Sequence, residues 1–103
     1  MSFIRLAGAH GAGPDVATQA RSAMEHLRAS LRGCGSDTDH IFDVTIYLLD
    51  MGDLLPAAQA CRPYLTRQIP TTVVSVERLA TPEQLIEITV LAVYPSQDEN
   101  SGS

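Results

Sequence analysis

Four segments of this chain read as β-strands, two of them are apolar on both parities, and only two other segments carry helical spacing. His40–Leu49 sends Phe42, Val44, Ile46 and Leu48 to one side and Ile41, Asp43, Thr45, Tyr47 and Leu49 to the other. Leu85–Tyr94 sets Ile86, Ile88, Val90 and Ala92 against Leu85, Glu87, Thr89, Leu91 and Val93. The remaining strand segments are Phe3–Ala7, which runs into a turn containing Gly8, Gly11 and Gly13, and Thr71–Glu77 after Pro70. Two helices cover one face of a four-stranded sheet and leave the other bare. An uncovered apolar face of several hundred Å2 is unusual on a monomer, so the pattern predicts that copies of the chain pack their sheets together.

The helical segments are marked by local chemistry. Pro14-Asp15 supplies a start, with the Asp15 carboxylate placed to cap free N–H groups. Val16, Ala20, Ala23, Met24, Leu27 and Leu31 then form one stripe, and Gly33 and Gly35 end it. Glu25 is spaced to pair with Arg21 or Arg28 on the outer surface. Asp53 begins a second helix with Leu54, Ala58, Cys61 and Leu65 in line, which Pro63 must kink or shorten. The order is β-α-β-α-β-β: an α/β (α+β) fold with a mixed sheet. The first βαβ unit is expected to cross over right-handedly, and the last two strands to lie side by side, antiparallel. With 103 residues the chain has room for one domain, drawn here as 1–95, followed by a polar tail over 96–103 that is expected to be disordered.

Composition narrows the function classes. All seven basic residues are arginine and twelve acids give a net charge of −5, so no side-chain amine exists for a Schiff base and nucleic acid is disfavoured as a partner. No apolar run has the ~20 residues of a membrane span, and Met1–Arg5 lacks the charge and apolar regions of a signal peptide. Cys34 and Cys61 follow no ligand or redox spacing; they read as reduced thiols of a cytoplasmic protein.

Few residues stand out chemically. The glycines of Gly8–Gly13 are in the wrong order for a dinucleotide fingerprint and read as a turn. Asp37, Asp39 and His40 read as a solvated loop rather than a metal cluster, and His26 as a boundary residue. His10, at a glycine-rich strand end, is a candidate site residue. Glu87 breaks its strand's pattern. A carboxylate there is either a structural ion pair or edge position, or an acid/base group whose pKa burial would raise.

The series Asp15-Val-Ala-Thr-Gln-Ala-Arg21, the helix through Leu31, Gly35, Val44–Met51, Asp53, Val74-x-Val76-x-Arg78-Leu79 and Leu85-Ile-Glu-Ile88 resembles the RidA (YjgF-type) family of enamine/imine deaminases over residues 3 to 94. The resemblance implies a chorismate-mutase-like fold and a homotrimer with a barrel-like core and ligand clefts between subunits. It implies a small-molecule ligand, and the sequence itself gives no sign of a metal or organic cofactor. Glu87 matches the family glutamate that positions or activates the attacking water. Other site positions depart from the family: Thr71 falls where its carboxylate-binding arginine stands, Ala7 on its serine, Ala58 on its asparagine and Val73 on its cysteine. The family's additional N-terminal strand with a site tyrosine has no counterpart before Phe3. Thr71, Thr72, Arg67 and His10 are the candidate binding residues around Glu87. Two functions remain: an enzyme acting on a small imine, enamine or related intermediate, or a non-catalytic binding or regulatory trimer.

Overall fold

A computed structural model describes residues 2–95; the expected polar tail lies outside the described residues. The elements are β1 (Phe3–Ala9), α1 (Val16–Gly33), β2 (Ile41–Leu48), α2 (Leu54–Cys61), β3 (Thr71–Ser75) and β4 (Ile86–Val93). The four strands form one mixed sheet in the order β1-β4-β2-β3.

β4 runs antiparallel to both β1 and β2, while β3 lies parallel to β2 at the edge. The expected side-by-side pairing of the last two strands is therefore wrong. Ile86, Ile88, Val90 and Ala92 are all fully buried, and a strand with such a face is best used in the centre of the sheet, under α1. Thr71, Thr72 and Ser75 are exposed, as the polar content of β3 suits an edge.

The predicted stripe of α1 is the buried one. Ala20, Ala23, Met24 and Leu31 have no exposed surface, and they pack with Val44, Ile46, Leu48 and the β4 residues in one core. Thr18 N–H donates to Asp15 Oδ1 at 2.8 Å, closing the predicted N-cap. The backbone of Cys34 and Gly35 (φ +84°) closes the helix's last carbonyls. Glu25 pairs with Arg28 at 2.6 Å and accepts from Tyr64 Oη at 2.6 Å, and the Arg28 guanidinium lies 5.3 Å from the Tyr64 ring centre. The Tyr64 and Arg28 donors hold the Glu25 carboxyl below its ordinary pKa. This cluster ties α1 to the chain leaving α2.

Three local expectations are corrected. α2 stops at Cys61 and a tighter turn, Arg62–Tyr64, carries Pro63, so the proline shortens the helix as predicted. Its buried face, however, is Ala57, Ala60 and Cys61; Leu54 and Ala58 face solvent. A 3-10 turn over Met51–Asp53 sets the helix's rotation, and Asp50, not Asp53, accepts the capping N–H, from Gly52 at 2.8 Å. In β2 the ladder to β4 shifts between Ile41 and Asp43. The extra residue buries Ile41 and turns Phe42 outward, where it meets Phe3 edge-on at 6.2 Å. β1 reaches Ala9 through a second irregularity after Leu6, at which Gly8 adopts φ +76°, a conformation costly for any other residue.

Candidate functional site

The candidate residue Glu87 lies on the side of the sheet away from α1. Directly opposite residues of paired strands point to the same face, so the registers give its rows. Phe3 stands beside Val93. Arg5, Leu91 and Asp43 make the next row. Thr89, Thr45 and Thr72 make a row of three hydroxyls, and Glu87, Tyr47 and Val74 the row after it. Strand alternation alone puts Glu87 here, because Ile86 and Ile88 on either side are in the core.

Glu87 is half-buried, not buried as its strand's apolar pattern suggested, and has no salt-bridge partner among the described residues. Its structural ion pair is thus absent within the described chain. Tyr47, also half-buried, is its cross-strand partner on β2. Such pairs have Cβ atoms about 4.5–5.5 Å apart, so the two side chains leave the sheet from adjacent positions on the face. Tyr47 did not enter the list of candidates, since its proximity to Glu87 is a matter of ladder register that no local pattern encodes.

The other candidates separate. Thr72 shares the face with Glu87, one row along and on the strand beyond Tyr47. Thr71 does not: it pairs with Val44 on the helix side, and its Oγ1 donates to the Ile69 carbonyl at 3.0 Å. Arg67 is exposed on the connection leading to β3. His10 lies just past β1, and its carbonyl lies 3.3 Å from Nδ1 of His26. His10, Gly11, Gln19, His26, Glu83 and Gln84 are among the residues lining a separate cavity of about 410 Å3, which Glu87 does not line.

Gln19 builds that cavity and was missed by the sequence reading. Its side chain donates to the carbonyls of Gly13 and Glu83 at 3.0 and 2.9 Å and accepts from Leu85 N–H at 2.7 Å. One buried amide thereby fixes the glycine-rich turn and the connection into β4 against α1. The signal was a polar residue standing on the apolar stripe, three after Val16. Asp37, Asp39 and His40 form a capped 3-10 turn in which Asp37 pairs with Arg32 at 3.0 Å, and among the described residues no group of three or more metal-binding side chains assembles. No helix of the described residues is long and apolar enough to cross a membrane.

A small α+β domain with both helices on one side of a mixed sheet, and a carboxylate without a salt-bridge partner among the described residues on the other, defines the class of protein. The chain belongs to the RidA/YjgF-type family: the model of the family described as Endoribonuclease L-PSP matches residues 4–94. A YjgF family protein from Neisseria meningitidis is 32% identical and superposes with a TM-score of 0.80, over 91% of this chain and 81% of that one. A YjgF/YER057c/UK114 family member from Mycobacterium tuberculosis is 25% identical with a TM-score of 0.84, over 87% and 77%. Protein DfrA of Myxococcus xanthus is 35% identical over 80 residues, 77% of this chain and 60% of that protein. The chain spans 60% and 62% of the length of the curated relatives it matches.

Proposed function

We propose that the protein acts on a small imine, enamine or related metabolic intermediate in a cleft between subunits of a homotrimer, with Glu87 orienting water or shuttling a proton. The observation that carries this reading is the position of Glu87. It has no salt-bridge partner among the described residues and stands on the sheet face that the helices leave open, a face that also carries Phe3, Leu91, Val93, Val74 and Tyr47. A second copy laid on this face would withdraw water from the carboxylate and strengthen it as a base. Thr72 then offers a hydroxyl to the ligand, and Arg67 and His10 are peripheral unless a neighbouring subunit supplies them. With a threonine at the family's arginine position, a substrate other than a simple 2-aminoacrylate-type acid is expected, because no bidentate guanidinium is there to hold its carboxylate. The two free thiols fit a cytoplasmic setting.

The test is hydrolysis of a panel of imines by the purified protein. Turnover abolished by Glu87→Gln supports the reading; turnover unchanged in that variant overturns it. The threonine at the arginine position also favours a second reading, a non-catalytic binding or regulatory trimer, for which ligand-dependent thermal shifts without turnover are the expected result. Ribonuclease activity, the word in the family's description, sits poorly with a net charge of −5.

A further inference from the structure

The strands contain a single arginine, Arg5, on the open face opposite Leu91. Leu91 and Glu87 are four residues apart on β4, or about 13 Å along the strand. The row of Glu87 holds Tyr47 directly across the ladder and Val74 beyond it, and the next row is three hydroxyl residues, Thr89, Thr45 and Thr72. Elsewhere in the molecule a tyrosine hydroxyl is already committed, as Tyr64 is to Glu25 at 2.6 Å. Tyr47 and Glu87 enter none of the side-chain hydrogen bonds among the described residues, so a donor and an acceptor rooted at adjacent ladder positions are both open to a ligand.

We infer that Tyr47 is the specificity-determining residue of this site, donating its phenolic O–H to a neutral carbonyl of the ligand while Glu87 accepts an N–H of the same molecule. This rests on the site proposed above and names its ligand class: small carbonyl or imine compounds bearing an amide or other uncharged end, and not a carboxylate. The physical ground is charge. A carboxylate ligand set against Glu87 brings two negative charges together, and the neighbouring hydroxyls offset neither. An amide reverses the situation, presenting N–H to the carboxylate and C=O to the phenol in one plane.

Pyruvamide and pyruvate, which differ only in that end, are the probes. Their dissociation constants are measured by NMR titration of the intact protein at neutral pH. Pyruvamide is expected to bind at least about tenfold more tightly. Tyr47→Phe, which keeps the ring, is expected to weaken pyruvamide by roughly tenfold, the scale of one hydrogen bond, while leaving pyruvate unchanged. Glu87→Gln is expected to improve pyruvate binding. Because the readout is a ratio of two ligands, a general loss of folded protein cannot imitate it. Equal affinities, a preference for pyruvate, no binding of either probe at 10 millimolar (about a hundred times a 100 micromolar protein sample), or a Tyr47→Phe variant that keeps the preference overturns the inference. If the preference fails while Glu87→Gln still abolishes turnover, the catalytic reading stands and only the ligand class is lost. If the preference holds and Glu87→Gln turns over normally, the recognition stands and catalysis by Glu87 is lost.

Discussion

The two faces of one sheet are built on opposite terms. On the helix side every β4 residue is fully buried, and the packing partners are all within the chain. On the other side Phe3 is 61% exposed, and Val74 and Phe42 are more than a third exposed, although their residue types are those of a core. The same strands therefore carry a finished interior and an unfinished one. Stability of the single chain belongs to the first face; assembly and ligand chemistry are expected of the second.

Substitutions should separate the two accordingly. The largest effect on stability is expected from Met24→Ala, which empties fully buried volume beneath the sheet and should cost about 2–5 kcal/mol in urea unfolding. Val74→Glu on the open face should leave monomer unfolding within about 0.5 kcal/mol while lowering the mass seen by light scattering. If Val74→Glu unfolds the protein, or if the wild type already scatters as a single chain, the division between the faces is broken.

Smaller effects sharpen it. Burial pushes the Cys61 thiol up to about 11, whereas Cys34 is exposed. One thiol per native chain should therefore react with a disulfide reagent at pH 8, and the second only on unfolding; two fast equivalents would show that the α2 side of the core opens freely. The smallest effect concerns acid. The Thr18 backbone N–H holds the Asp15 carboxyl below its ordinary value, as the Tyr64 and Arg28 donors do for Glu25. A carboxyl with a lowered native pKa adds stability above its unfolded pKa and loses it as pH falls through the native one. Asp15→Asn, which keeps a capping oxygen, should flatten the acid limb of the unfolding curve without changing its neutral plateau much. An unchanged acid limb would remove Asp15 from the account.

Much of this was legible before any coordinates. The α1 stripe, its Asp15 cap, the shortening at Pro63, the one-sided helices and the placement of Tyr47 on the bare face all follow from spacing and local chemistry, whereas the side that Glu87 takes was decided by which parity of β4 packs under α1. Other features were not. Nothing near Ile41 announces a bulge, and the rotation of α2 depends on a turn whose hydrogen bond goes to Asp50 instead of Asp53. Thr71 and Thr72 are adjacent in sequence and alike in chemistry, and strand geometry divides them between the faces.

The sequence by itself determined which residues are strand and which are helix, and that the sheet would be apolar on both sides. Periods of two and of 3.6 are properties of neighbouring residues, readable one segment at a time. Only the tertiary structure decided that β4 enters between β1 and β2, and so that Tyr47 stands across from Glu87. Strand order and register are settled by the burial of whole faces against α1, a sum over residues distant in the chain that no local window contains.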